Sequence, residues 1–206
     1  MHNLRQNGSL MGKIKIDKIL LAILIALFLL QVLSFGKETS FPQPVGYVND
    51  FGHLISSSDV ARLTGLITEL EKKTTAEIAI VTLESLREGD IEGYAVDLFE
   101  TWGIGKKGED NGLLILVSAG EHLIRIEVGY GLEGVITDGT AGDVIRQKIA
   151  PKFQQGNFGE GLFNGTAALA NLIAVEKGVK LVALNSLPQE NYEMLGEARS
   201  HPRRVL

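Results

Sequence analysis

The sequence contains no cysteine among its 206 residues. That absence excludes a disulfide framework, a thiol nucleophile, a zinc–thiolate site and an iron–sulfur cluster. The phosphate-binding motif G-x-x-x-x-G-K-[ST], the nucleophile elbow G-x-S-x-G and the metalloprotease motif H-E-x-x-H are missing too. The fold therefore depends on its hydrophobic core and not on disulfide cross-links.

Acidic residues outnumber basic ones outside the first 36 residues. Residues 37–206 hold 16 of the 20 Lys and Arg and 24 of the 25 Asp and Glu, so they carry a net charge of −8. Nucleic-acid binding depends on neutralising phosphates, and this acidic body argues against nucleic acid as the main partner. The charge balance fits a cation-binding protein better.

Residues 1–36 have the pattern of an export signal. Three lysines precede an apolar run of 12 residues from Ile19 to Leu30. A signal-peptide core has about 7–15 apolar residues, whereas a membrane-spanning helix needs about 20. Ser34 and Gly36 are suitably small for a cleavage site, and translation starts at Met1 or Met11.

The alternative is an uncleaved N-terminal anchor that attaches the protein to the membrane through residues 19–35. Both interpretations predict an exported protein, with its body in the periplasm or outside the cell.

The rest of the chain predicts one domain of the α/β class. A linker with Pro and Gly at 37–46 precedes the domain at 47–178, and a mixed tail follows at 179–206. Periodicity predicts strands at 76–83, 113–117 and 123–128, and helices at 56–73, 90–102, 138–149 and 158–177, with the third helix stopping before or near Pro151.

The segment 113–117 is apolar at every position, which is typical of a central strand buried on both faces. Its short connection to 123–128 predicts an antiparallel hairpin. Interleaved helices and strands favour a three-layer α/β/α sandwich around a mixed sheet.

Two glycine triplets match the dinucleotide pattern G-x-G-x-x-G, beginning at Gly103 and Gly129. The first follows a predicted helix, which is the wrong order. The second precedes a helix whose predicted cap, Thr137 or Asp138, comes too late to meet a pyrophosphate. We interpret both triplets as tight turns that need positive φ angles.

Four carboxylates at predicted strand and helix ends carry the functional hypothesis: Asp50, Asp110, Glu127 and Asp138. An antiparallel hairpin places Asp110 and Glu127 at one sheet edge, and the loop after Gly129 returns Asp138 over it. Grouped carboxylates need a counter-charge, and a hard cation supplies one. Ca²⁺ suits an irregular oxygen-rich loop better than Mg²⁺, and Asn111 can complete the shell.

Each of these residues also has an ordinary structural role open to it. Asp138 can cap a helix, and Glu127 can pair with Arg125 or with a lysine at 106–107. Asp110 and Asp50 can each stabilise a turn.

Three segments together resemble the TPM-domain family: Tyr47–Ser56 (YVNDFGHLIS), Gly108–Val117 (GEDNGLLILV) and Arg125–Asp138 (RIEVGYGLEGVITD). The resemblance implies an α/β/α sandwich with an acidic pocket beside these loops. It also implies Ca²⁺ or another divalent ion in some members, and an acid-phosphatase activity known for a plant member. On this basis Asp50, Asp110, Glu127 and Asp138 correspond to the acidic positions of the family.

Three functions remain open at the level of sequence. One is an accessory or assembly module that binds Ca²⁺ and assists a membrane protein or complex at the outer face of a membrane. The alternative is a metal-dependent acid phosphatase that hydrolyses phosphomonoesters, with Asp110 as catalytic residue and Arg125 or Lys106 neutralising phosphate. The third is a structural domain without a ligand.

Overall fold

The computed structural model describes residue 21, residues 41–86 and residues 89–185. Apart from Leu21, which is helical, the predicted signal or anchor run lies outside the described residues, as does the tail beyond residue 185. The chain divides into two compact units, Met1–Pro42 and Gln43–Leu206, and the strands and helices below belong to the second. None of the helices within the described ranges is both long and apolar enough to cross a membrane.

The centre of the second unit is a mixed sheet of four strands in the order β1-β2-β3-β4. The strands are β1 Val48–Asp50, β2 Glu77–Leu83, β3 Gly112–Ser118 and β4 Leu123–Val128. The first three are parallel, and β4 runs antiparallel to β3 with Leu113 opposite Val128. The predicted antiparallel hairpin is therefore confirmed.

The third strand is the most deeply buried element of the sheet. Every residue of β3 is buried, and β3 lies between β2 and β4. A strand whose two faces are both covered can be apolar at each position, as the sequence predicted.

Helices cover both faces of this sheet. The helices are α1 Ser57–Thr74, α2 Ile91–Trp102, α3 Asp138–Val144, α4 Ala150–Phe153 and α5 Phe158–Glu176. The apolar faces of α1 and α5 share one core with alternate residues of β2 and β3, among them Ile80 and Ile115. Helix α2 lies against β3 and β4 and buries Ile91, Ala95 and Leu98. The α/β class with helices on both faces is confirmed.

Two helix starts follow the rules of capping. Ser56 precedes α1; its hydroxyl accepts the backbone N–H of Asp59 at 3.2 Å and donates to the Asp59 carboxylate at 2.6 Å. Asp90 precedes α2 and accepts the N–H of Gly93 at 2.7 Å. Both caps satisfy backbone donors that the first helical turn leaves unpaired, as their sequence positions predicted.

The third predicted helix stops near Pro151, as expected, but its helical backbone runs a few residues beyond 149. After α3 the backbone widens into a π-helical turn at Ile145–Ile149, and helix α4 continues through Pro151. Pro151 occupies the first turn of α4, a position at which proline is tolerated.

Packed residues continue beyond α5. Leu181 and Leu184 are buried in the same core as α1 and α5. The Glu69 carboxylate of α1 accepts the backbone N–H groups of Val182 at 2.7 Å and Ala183 at 2.9 Å. These bonds hold the Val182–Leu184 turn against α1.

Candidate functional site

The sheet has two ends that are relevant to the predicted site. We call the end formed by the starts of β2 and β3 and the finish of β4 the amino edge, and the opposite end the carboxyl edge. Asp110 comes just before β3, and Glu127 lies opposite Leu114 near the finish of β4, so both belong to the amino edge. Asp50 finishes β1 opposite Thr82, which places it at the carboxyl edge.

The structure thus brings Asp110 and Glu127 to one edge and leaves Asp50 at the other. Strand β2 has seven residues between these edges, which corresponds to about 20 Å at roughly 3.3 Å per residue. One ion cannot contact carboxylates that far apart.

Asp50 has a structural role at the carboxyl edge. Its carboxylate accepts the backbone N–H of Leu54 at 2.9 Å and of Ile55 at 3.2 Å, together with the hydroxyl of Thr82. The N–H of Gly52 donates to the carbonyl of Thr82 at 3.0 Å. Asp50 therefore holds the turn between β1 and α1 against β2, in agreement with its predicted turn role.

Glu127 and Asp138 also have ordinary partners or positions. Arg125 and Glu127 lie on the same face of β4, and their side chains form an ion pair at 2.9 Å. Thr137, rather than Asp138, caps α3 by accepting the N–H of Thr140 at 3.3 Å. Asp138 is exposed in the first helical turn, where its charge is favourable near the positive end of the helix.

Asp110 is an exposed carboxylate of the amino edge and has an unusual backbone. Its φ angle of 49° lies in the left-handed region, which aspartate tolerates better than most residues. Its carbonyl accepts the N–H of Gly131 at 3.0 Å. The loop after β4 therefore holds the carbonyl of Asp110, while the Asp110 N–H donates to the carbonyl of Lys106 at 3.0 Å.

Two glycines allow this close approach of loops. A Cβ at Gly129 would overlap the carbonyl oxygen of Asp110, and one at Gly131 would overlap that of Glu109. The triplet that begins at Gly129 does not have the predicted positive φ angles, and its first two glycines instead allow this close contact. The triplet that begins at Gly103 has positive φ at all three glycines, which confirms its interpretation as turns.

The predicted carboxylates as a set do not fit one ion. Within residues 41–86 and 89–185, no three His, Asp or Glu side chains form a group that could hold a metal ion. Asn111, expected as an additional ligand, instead uses its amide oxygen to accept the N–H of Lys106 at 2.9 Å. Its amide nitrogen donates to Thr75 and Glu109, and these three side chains brace the loop before β3.

A charged network at the amino edge was missed by the sequence analysis. Lys106 lies between Glu71 of α1, at 2.7 Å, and Glu77 of β2. Tyr47 donates its hydroxyl to the other oxygen of Glu71, and the N–H of Gly105 donates to Glu77 at 2.7 Å. The positions of the two glutamates in the sequence were the one clue to this network. Glu71 lies outside the apolar stripe of α1, and Glu77 is the first residue of β2.

These contacts shift the protonation of the network. Hydrogen bonds from Lys106, and then from Tyr47, hold the pKa of Glu71 below its usual value, although partial burial opposes this. The hydrogen bonds to Glu71 and Glu77 raise the pKa of Lys106. The network has two carboxyl groups for one lysine, so its formal charge is negative.

A second carboxylate organises the carboxyl edge. Glu121 accepts the hydroxyls of Ser118 and Ser85 and the N–H of Leu86. The hydroxyl of Ser118, followed by that of Ser85, lowers the pKa of Glu121. Glu121 thereby ties the β3–β4 turn to the segment after β2.

Comparison with known proteins agrees with the segments noted above. The TPM domain family matches residues 48–172, which is more than half of the chain. The N-terminal domain of a Porphyromonas gingivalis protein is 30% identical with a TM-score of 0.61, covering 65% of this chain and 85% of that one. The BA42 protein of the psychrophilic bacterium Bizionia argentinensis is 28% identical with a TM-score of 0.53, covering 65% and 91%.

An N-terminal domain from Corynebacterium glutamicum shares the fold at 20% identity and a TM-score of 0.50, covering 70% of this chain and 88% of that one. None of the curated proteins matches. The family match and the shared fold together establish that this chain belongs to the TPM domain family.

Proposed function

We propose that this TPM-domain protein is an exported accessory module that binds a divalent cation, Ca²⁺ before Mg²⁺, beside Asp110. The observation that supports this site best is the pair of loops at the amino edge. There the exposed Asp110 carboxylate follows Glu109, on a backbone that Gly131 holds in place. Calcium takes carboxylate and backbone carbonyl oxygens in flexible geometries, whereas Mg²⁺ demands a near-ideal octahedron.

The remaining predicted ligands set the limits of this proposal. Asp50 is excluded from the site because it belongs to the carboxyl edge. Glu127 could bind the ion only if it broke its ion pair with Arg125. Asp138 could bind it only from the exposed first turn of α3. Asp110 is therefore the ligand to test first, with water completing the coordination shell.

The accessory role is better supported than the acid phosphatase. A phosphatase would use Lys106 or Arg125 to neutralise phosphate oxygens, but each of these cations already contacts carboxylates. A phosphomonoester would have to displace Glu71 and Glu77, or Glu127, and would meet their negative charge. A module that orders its acidic loops with a cation and presents them to a membrane protein or complex needs no such exchange.

Calorimetric titration of the full chain with Ca²⁺, and separately with Mg²⁺, tests the binding step. We expect saturable Ca²⁺ binding that Asp110→Asn abolishes and that Asp143→Asn leaves intact. Asp143 is a suitable control because it is a carboxylate of α3 that pairs with Arg146 at 2.6 Å, outside the proposed site. Binding that survives in Asp110→Asn would show that the ion lies elsewhere.

Hydrolysis of a simple aryl phosphate by the same variants tests the enzymatic alternative. The accessory role predicts no turnover above that of Asp110→Asn. Turnover that Asp110→Asn removes would instead establish a phosphatase. Cell fractionation tests the predicted export, because an exported protein is found outside the cytoplasmic fraction.

A further inference from the structure

The edge strand β4 has an outer side that no other described strand covers. In the sheet order β1-β2-β3-β4, β4 pairs with β3 on one side only. It contains six residues without a proline, and its pairing with β3 runs without a bulge from Val128 to Leu123. Exposed edge strands are templates for pairing with a further strand unless proline, a bulge, a short length or charged side chains prevent it, and the two charges of β4, Arg125 and Glu127, are of opposite sign. The other edge strand, β1, has only three residues.

The hydrogen-bond pattern shows which backbone groups of β4 point outward. Gly129 donates its N–H to Gly112 at 2.9 Å, and Gly131 donates to Asp110 at 3.0 Å. In an antiparallel ladder every second residue bonds to the same neighbour, so Glu127 and Arg125 direct their backbone groups toward β3. The N–H and C=O groups of Ile124, Ile126 and Val128 consequently face away from β3.

These three outward residues match a second copy of the same strand. With Ile126 on a two-fold axis, Ile126 faces its own copy, and Ile124 faces Val128 of the second chain. All these residues have outward backbone groups, so each pair can form the closely hydrogen-bonded type of antiparallel pair. Their side chains lie on the face that packs into the α1–α5 core, where Ile126 is buried and Ile124 and Val128 are only partly covered.

The charges of β4 are complementary in the same register. Arg125 of one chain lies directly opposite Glu127 of the other, twice about the axis. These are non-hydrogen-bonded pairs, in which the side chains come closest, and opposite charges facing each other there are stabilising. A shift of the register by two residues in either direction would remove both Arg125–Glu127 pairs.

From this self-complementarity we propose that two copies of the chain associate through antiparallel pairing of β4 with β4, which joins their sheets into one continuous sheet of eight strands. The interface is isologous, because the same residues serve on both sides. Its apolar layer extends the core of each copy past Ile124 and Val128. The proposal is independent of cation binding at Asp110.

Charge reversal in the full chain tests the interface. We expect sedimentation equilibrium to show a dimer for the wild type, and a dissociation constant raised at least about tenfold for Arg125→Glu or Glu127→Arg, because like charges then face each other twice. The two reversed chains mixed together should form a heterodimer. The double variant R125E/E127R should regain the wild-type affinity, which would separate charge from misfolding.

The lack of native cysteine gives a test of the register. Arg125→Cys and Glu127→Cys chains, mixed and oxidised, should form a disulfide-linked pair, because their Cα atoms would be about 4.5 Å apart. Either chain alone should not, since identical positions lie about 7–8 Å apart on the diagonal. A monomer at all concentrations would overturn the proposal, as would a dimer that is insensitive to charge reversal or a disulfide formed equally by either chain alone.

Discussion

Lys106 Nζ lies 2.7 Å from Glu71 Oε1, although 35 residues separate them in the chain. This contact joins the last turn of α1 to the loop before β3, and Glu77 brings β2 into the same network. The amino edge is therefore held together by charge, which gives the domain a dependence on pH.

Acidification should weaken the domain through Glu71. Because Lys106, and then Tyr47, lower the pKa of Glu71 in the folded state, its stabilising effect is complete above the unfolded value of 4.5 and is lost as pH falls through the folded pKa. We expect Glu71→Gln to be less stable than the wild type at neutral pH. As the pH falls below 4.5, the variant should lose less stability than the wild type does.

Urea unfolding followed by the fluorescence of Trp102, the one tryptophan of the chain, measures this effect at a series of pH values. Glu133→Gln, at an exposed carboxylate, is the control and should retain the wild-type dependence. If the free energy of unfolding changed equally with pH for Glu71→Gln and the wild type, the network would not contribute to the pH dependence of stability.

Asp50 should prove structural. Asp50→Ala removes an acceptor for Leu54, Ile55 and Thr82, and leaving such donors unpaired costs about 1–3 kcal/mol. The loss should be the same in chelator and in Ca²⁺, as measured by thermal melting. A loss of stability seen only in Ca²⁺ would show instead that Asp50 binds the ion.

The glycines of the amino edge offer a matched pair of variants. Gly131→Ala places a methyl group against the carbonyl of Glu109 and should destabilise the domain by about 1–3 kcal/mol. Gly134→Ala, in the same loop, meets nothing within 4 Å and should unfold like the wild type. The urea concentrations at which the two variants are half unfolded measure this difference. Equal midpoints would mean that the loop after β4 does not pack tightly against the loop before β3.

Much of the fold could be predicted because it follows local rules. Ser56 and Asp90 cap helices through bonds to residues three positions away, and the apolar run 113–117 requires a strand covered on both faces. The short connection between β3 and β4 requires an antiparallel pair. None of these depends on a distant part of the chain.

The features that could not be predicted depend on distant contacts. Parallel pairing of β1 with β2 places Asp50 at the carboxyl edge, and only the direction of the crossover through α1 decides this. The partners of Lys106 come from α1 and β2, and no spacing in the sequence relates them. Pro151 follows a widened π-helical turn, which a rule based on 3.6-residue periodicity does not anticipate.

Thermal melting of the full chain in chelator, in millimolar Ca²⁺ and in millimolar Mg²⁺, beside Asp110→Asn, tests the cation-binding module most directly. A ligand at 100 times its dissociation constant adds about 2.7 kcal/mol, or roughly 5–11 °C at about 2–4 °C per kcal/mol. The account predicts a shift of this size in Ca²⁺, a smaller one in Mg²⁺ and none in Asp110→Asn. Identical melting of the wild type in all three solutions would contradict it.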